Sequence, residues 1–354
     1  MFVRHSRAAL VAAALAVAVA LPFRSVAAQV QARPAASEAI TLYSAQGYDI
    51  TMGKAFAKMS GIQVNTVDDS TGNILAKIQA ERNNPKWDVV WFDGDATMQT
   101  LDNQGLLHKW TSPNIGNYTA LGKGLIPSDH AFYPTGVTAA GVIVYNTRKL
   151  TAAQAPKDWS DLLKPQFKDQ VAENDPAFSG PAFPLIAGMF QRLGGPKHNM
   201  APGYAYYTKL QANGLKIFQT NDPTIHSVET GAREIGIVQD SAYYAAKATG
   251  APLGVVYARS GVTVLPGVIA INAQSRHLQA AESFVNYVLS QAGQNTMVHD
   301  PGDSDSFYTP IIKGVSALPG RQTSGITWQL LNYKWAAAQA TAIKQWFHVN
   351  VVAK

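Results

Sequence analysis

Residues 39–103, AITLYSAQGYDITMGKAFAKMSGIQVNTVDDSTGNILAKIQAERNNPKWDVVWFDGDATMQTLDN, decide the fold class. The β-rich run from Ala39 to Ser44 is followed over 48–60 by apolar residues at helical spacing, Ile50, Met52, Phe56 and Met59, which stop at Gly61, a suitable helix cap. Residues 62–67 alternate as a second strand, and DDSTGN at 68–73 leads into a helix with Ile74, Leu75 and Ile78 on one side. Residues 87–92 give a third strand and 96–103 another helix. This β-α-β-α-β-α order predicts an α/β fold built on a parallel sheet.

Further along the chain, 136–138 and 141–146 read as strands that could cross into a second lobe. A second α/β unit is predicted there, with a helix at 158–163, a strand at 168–172, helices at 180–193, 204–213 and 224–230, a strand at 235–238 and a helix at 241–249. Residues 267–271 return to a strand, 278–290 form a strongly periodic helix, and the tail after Pro319, with Trp328, Leu331, Trp335 and Trp346, is expected to pack as helices across the lobes.

Toward the amino terminus, Arg4 and Arg7 precede an apolar run from Ala8 to Pro22, then Ser25-Val26-Ala27-Ala28-Gln29. That pattern predicts a signal peptide over 1–28, cut after Ala28, and a polar flexible leader over 29–38. A membrane anchor would need roughly 20 apolar residues, and this run ends sooner. Losing 1–28 removes three arginines and no acid, so the net charge falls from +6 to +3. No Lys/Arg run tracks phosphates, so a nucleic-acid partner is not expected. Zero cysteines exclude disulfides, zinc–thiolate sites and a cysteine nucleophile, and fit a periplasmic location. The remaining length exceeds what one core usually organises, so two lobes are expected.

Two strand-to-helix junctions draw notice. Ser70, Thr71 and Gly72 in the first lobe and Ser179-Gly180 in the second combine hydroxyls, free first-turn N–H groups and glycines that permit close approach, which is what an anion seat requires. Each also reads as ordinary capping. Both stand at the carboxyl end of a strand, where open α/β sheets bind ligands. Asp93 and Asp95 after the third strand, Asn221-Asp222 before a helix, and Gln239-Asp240-Ser241 after Val238 share that position. The acids could pair with a ligand amine or a metal, and Tyr48, Trp91, Tyr243 and Tyr244 could enclose it. Enzyme signatures are missing: there is no G-x-S-x-G, H-E-x-x-H, P-loop or G-x-G-x-x-G.

Tyr43-Ser44-Ala45, FAKMSGIQV at 56–64, Ser70-Thr71-Gly72, Trp87 to Val90, YNT at 145–147, DLLKP at 161–165, Asp175 to Gly180 and Ala281 to Leu289 resemble, in order, periplasmic ferric-iron-type binding proteins. The resemblance implies a type II periplasmic binding protein, with two lobes of mainly parallel sheet flanked by helices closing about a hinge. The lobes would be 39–137 and 138–270, with 271–354 returning to the first lobe and adding carboxy-terminal helices. It further implies a monomer that needs no cofactor, delivers a small polar ligand to the permease and ATPase of an ABC importer, and is not an enzyme; a secreted hydrolase is the more distant reading. Iron-binding members use adjacent tyrosines, which an ungapped reading replaces here by Ser241 and Ala242, with Tyr243-Tyr244 two residues later. The Ser-Thr-Gly turn and the Asp93-Gly94-Asp95 stretch look like relatives that bind 2-aminoethylphosphonate. The expected ligand is therefore a zwitterionic phosphonate or phosphate. Its anion would sit on Ser70, Thr71, Ser179 and Gly180 and its amine against Asp93, Asp95 or Asp240, with Ser44, Tyr48, Gly72, Trp91, Asn221, Ser241 and Tyr243 nearby. The alternative is ferric ion held by Asp93, Tyr243 and Tyr244.

Overall fold

The structure is a computed structural model and describes residues 38–299 and 305–354. The expected signal peptide and residues 29–37 of the expected leader lie outside them.

The first lobe begins with β1 (Ala39–Ser44), α1 (Asp49–Ser60), β2 (Gln63–Asp68), α2 (Thr71–Ala80), β3 (Val89–Asp93), α3 (Asp95–Asn103), the short α4 (Ala120–Gly124) and β4 (Tyr133–Ala139). The second holds β5 (Val142–Asn146), β6 (Val171–Asn174), α5 (Ala182–Gly194), α6 (Ala201–Ala212), β7 (Lys216–Phe218), α7 (Asn221–Glu229), β8 (Ile235–Val238), α8 (Asp240–Ala248) and β9 (Leu253–Val256). The chain returns through β10 (Val262–Ile271), α9 (Leu278–Val288), α10 (Gln291–Val298), β11 (Trp328–Gln329) and α11 (Tyr333–Phe347). Local chemistry accounts for the boundaries. Gly61 ends α1 in the left-handed region at φ 78°, which favours glycine, and donates to Ala57 O. Ser70 caps α2 by accepting from Asn73 N at 3.3 Å. Every residue of the central strand β3 is buried, as expected of a strand covered on both faces.

The two sheets share one plan. In the first, β1 lies parallel between β2 and β3, and β10 runs antiparallel to β3. In the second, β6 lies parallel between β7 and β8, and β5 runs antiparallel to β8. The carboxyl ends of the parallel strands therefore define one edge in each lobe. Strand β10 belongs to the first sheet from Val262 onward, so the chain returns earlier than residue 271. The sequence shows only its second half, 267–271, as a strand, because Pro266 interrupts the pattern. The expected helix at 158–163 is a 3-10 turn (Trp159–Leu163), closed by reciprocal Asp158 and Asp161 caps. Helix α11 packs on α3 of the first lobe and α5 of the second, and Ile343 and Phe347 enter the second-lobe core with Phe190 and Tyr207.

The lobes touch through glycine. Gly72 N donates to Phe178 O at 3.2 Å, and a Cβ at Gly72 would fall 2.2 Å from Ala177 O. A Cβ at Gly180 would fall 2.6 Å from Thr71 Oγ1. Alanine at 72 would gain up to about 1 kcal/mol of helix propensity while driving a backbone oxygen away. Gly72→Ala should therefore open the lobes, raising the radius of gyration in small-angle scattering without lowering the melting temperature; an unchanged radius would mean the contact does not limit closure.

Glu173 on β6 is wholly buried. Tyr207 donates to its Oε1 at 3.1 Å, and its Oε2 has no partner among the described residues. Burial pushes its carboxyl from the ordinary 4.5 up to about 8. The folded state thus holds this proton more tightly than the unfolded chain does, a contribution fully present below about pH 4.5 and lost as pH rises through about 8. Glu173→Gln should remove that slope and leave the protein more stable at pH 8 by on the order of a few kcal/mol, as read from urea unfolding at pH 5 and pH 8. Equal losses at both values would make the carboxylate structurally necessary instead.

Candidate functional site

Where the two sheet edges face one another lies a cleft of about 340 Å³, within the range of small-molecule sites. The first lobe contributes Asp68, Asp69, Ser70 and Thr71 between β2 and α2, together with Asp93 at the end of β3. The second contributes Ser179 and Gly180 ahead of α5, Thr220 to Asp222 at the start of α7, and Gln239 ahead of α8. First-turn N–H groups of helices have no intrahelical acceptor, so these helix starts offer donors and a partial positive charge to the cleft.

Side-chain charge runs the other way. The lining carries five carboxylates, Asp68, Asp69, Asp93, Asp222 and Asp305, and no Lys, Arg or His among the described residues. Asp93 is the buried one. Its Oδ1 accepts from Gln46 Nε2 at 3.2 Å and its Oδ2 from Gln239 Nε2 at 3.0 Å, so an amide from each lobe grips one carboxylate. Burial raises it, helped by repulsion from the nearby Asp240 and opposed by the two amides, to about 6. Asp68 is raised by partial burial and by Asp69. Asp69 Oδ1 accepts from Ser70 N at 2.7 Å and from Asn73 Nδ2 at 2.8 Å. Asn174 arranges the second-lobe wall by donating to Ser179 Oγ (3.2 Å) and to Asn221 Oδ1 (2.7 Å).

Of the residues singled out in the sequence, Ser70, Thr71, Asp93, Ser179, Gly180 and Asn221 are brought together on this wall. Gly72 stands behind it, in the interlobe contact. Ser44 and Tyr48 are buried one layer below: Ser44 Oγ accepts from Gln46 N, and Tyr48 donates to Gln46 Oε1 at 2.5 Å, so both act through the glutamine that holds Asp93. Trp91 is fully buried and donates to Thr135 Oγ1, so it does not enclose a ligand in the cleft. Asp95 turns from the cleft: it starts α3, accepts from Ala96 N, is raised by burial to about 7, and acts on Tyr333 of α11.

Asp240, Ser241, Tyr243 and Tyr244 also lie off the wall. Helix α8 begins directly after β8, so only its cap, Gln239, faces the cleft while the following residues wind into the lobe. Asp240 is engaged by Arg321 at 2.8 Å. Tyr244 shares a 3.2 Å hydroxyl contact with Tyr257 and accepts from Gln322 N. Asp93 lines the cleft whereas Tyr243 and Tyr244 do not, and no cluster of three or more His, Asp or Glu suited to a metal occurs among the described residues. Sequence reading missed Gln46, Thr220 and Asp305, and from the stretch Gln239-Asp240-Ser241 it favoured Asp240 and Ser241 over Gln239. Gln239 obeyed the strand-end rule one residue earlier than expected, whereas Asp305 carries no local signal.

The model of the bacterial extracellular solute-binding protein family matches residues 51–344. The chain is 25% identical to a probable ABC transporter periplasmic-binding protein of Sinorhizobium fredii, covering 72% of this chain and 70% of that one. It is 27% identical to a Salmonella paratyphi A periplasmic protein named for 2-aminoethylphosphonate binding, over 51% of each chain. It is 26% identical to an Fe(3+)-binding periplasmic protein of Serratia marcescens, covering 74% and 77%. Among solved structures, the periplasmic binding protein AfuA of Actinobacillus pleuropneumoniae superposes with a TM-score of 0.80 at 21% identity, over 90% of this chain and 100% of that one, which establishes a shared fold. With its two sheets, its interlobe cleft and a family match across most of its length, the chain belongs to the bacterial extracellular solute-binding proteins and is a binding protein, not an enzyme.

Proposed function

We propose that this protein is the periplasmic binding component of an ABC importer and that its ligand is a small zwitterion carrying an ammonium group, with 2-aminoethylphosphonate the first choice. The protein would be exported by the signal over 1–28, act as a monomer, and hand its ligand to a permease and an ATPase. The observation that carries the reading is the cleft's charge: five carboxylates and no cationic side chain among the described residues. A bare dianion would meet repulsion from these carboxylates, whereas an ammonium would be attracted. Asp93 is the natural partner of the ammonium, being buried and already oriented by Gln46 and Gln239. The start of α2 at Thr71 and the turn at Gly180 ahead of α5, with the hydroxyls of Ser70 and Ser179, offer donors to the acidic end. The relative named for 2-aminoethylphosphonate supports the same choice. The number of carboxylates favours a second reading, a short diamine whose two cationic ends divide them.

Isothermal titration calorimetry with 2-aminoethylphosphonate, inorganic phosphate and putrescine separates these. The proposal expects a Kd of about 10 μM or tighter for the aminophosphonate and no heat from phosphate; binding of putrescine alone selects the diamine. A visible tyrosinate band on adding ferric citrate would replace both with iron. Because Asp93 is raised to about 6, affinity for the ammonium should be full above pH 7 and fall as pH drops through about 6, where the carboxylate takes up a proton. Asp93→Asn should weaken binding about tenfold or more and flatten that pH profile; an unchanged profile would remove Asp93 from the site.

A further inference from the structure

We propose that Asp240 is a positioning residue that fixes the angle between the lobes, without touching ligand, by tying together three segments that run between them. This inference does not rest on the ligand's identity. Asp240 is fully buried as the first residue of α8. Its Oδ1 accepts from Ala139 N at 3.0 Å, at the point where β4 ends and the chain leaves the first sheet. Its Oδ2 accepts from Tyr257 Oη at 2.9 Å, in the stretch between β9 and β10 where the chain goes back. The same oxygen accepts from Arg321 Nη2 at 2.8 Å, and neither side chain of this ion pair is exposed.

Arg321 belongs to a segment that lies against both lobes. It donates to Phe307 O at 2.6 Å and to Thr309 Oγ1 at 3.2 Å, and Thr309 pairs through its backbone with Val137 of β4. On the other side its guanidinium sits 5.2 Å over the Tyr244 ring of α8, and Gln322 N donates to the Tyr244 hydroxyl. One carboxylate thus accepts from a backbone, a phenol and a guanidinium, each on a different connection between the lobes.

A buried ion pair is weak evidence for stability, and its best-attested use is to specify one arrangement over others. Lobe rotation requires the connecting segments to change their dihedrals together, and a shared acceptor at their meeting point couples those changes. The preceding residue carries the coupling to the cleft: Gln239 Nε2 donates to Asp93 Oδ2 at 3.0 Å and to Thr138 Oγ1 at 2.9 Å, one residue before Ala139. Residues 239–240 therefore join the cleft carboxylate to the hinge.

The absence of cysteine makes a label pair clean. Spin labels at Asn84→Cys in the first lobe and Lys209→Cys in the second, both exposed, report the interlobe distance by pulsed electron resonance in the full chain without added ligand. Asp240→Asn leaves one acceptor oxygen for three donors, so the distance distribution should shift or broaden. Tyr257→Phe should do so to a smaller extent. Ser112→Ala is the control, because buried Ser112 donates to Asn286 Oδ1 and accepts from Asn114 N within the first lobe, away from these connections; it should lower the melting temperature and leave the distance unchanged. If Asp240→Asn does not fold, the neutral pair Asp240→Asn with Arg321→Gln takes its place. Calorimetry with 2-aminoethylphosphonate should show an affinity loss of about tenfold in Asp240→Asn. If the aminophosphonate does not bind the unaltered protein, that reading of the ligand fails while the distances still decide this one. A distance distribution identical to the parent's in Asp240→Asn, or in the neutral pair, would overturn the proposal, whatever happens to the melting temperature.

Discussion

A carboxylate removed from water must be hydrogen-bonded or neutralised, and the cleft is organised around the one that meets this condition from two directions. Asp93 ends the central strand of the first lobe, where β3 runs beside β10 with Asp93 opposite Gly267. Gln46 reaches it from the loop after β1 and Gln239 from the end of β8 in the other lobe. Gln46 is itself held by Tyr48 and, through its backbone, by Ser44. The two amides offset part of the burial cost, which is why Asp93 rises only to about 6 while Glu173, with a single phenol as donor, rises to about 8.

This arrangement explains how helix starts that look suited to anions can line a site that favours cations. The partial charge at a helix start is about half an elementary charge and is felt only over the first turn. At α2 it is already engaged by the chain itself, since Asp69 accepts from Ser70 N. Asp222 stands in the first turn of α7 and Asp240 in that of α8. Full charges on side chains outweigh the partial charges behind them. A ligand's acidic end therefore finds its donors at Ser70 and Thr71 and around Ser179 and Gly180, and it is tolerated when an ammonium accompanies it.

The fold was legible in the sequence wherever the hydrophobic period was long and uninterrupted. The first six elements were read to within about two residues, because strands such as 87–92 and helices ended by Gly61 carry their own boundaries. Strands β7 and β9 were missed, one being three residues long and the other only half buried along most of its length. The site divides differently. Ser70, Thr71, Asp93, Ser179, Gly180 and Asn221 sit where a strand turns into a helix or ends, a position visible in sequence. Whether a residue just after a strand faces the cleft or the core depends on where the helix starts. That one-residue question placed Gln239, rather than Asp240, on the wall. Asp305 arrives from a distant segment, and its donor, Gly47 N, is 258 residues away; no local pattern encodes such a meeting.

Closure and recognition share the same atoms. A ligand shifts the lobes toward the closed state only by the difference in its affinity for the two states, and moving a population from 1:99 to 99:1 requires about 5.5 kcal/mol of such difference. Contacts made by the protein alone across the cleft, Gly72 N to Phe178 O and Gln239 to Asp93, lower what the ligand must supply. They also set what it must not disturb. An ammonium that approaches Asp93 has to share its oxygens with Gln46 and Gln239 rather than displace them, because removing either amide would leave a buried polar group without a partner, costing about 1–3 kcal/mol. A compact cation with few hydrogens to satisfy fits that condition; a bulky one that pushed Gln239 aside would pull on the residue adjoining Asp240, and so oppose the closure on which its own burial depends.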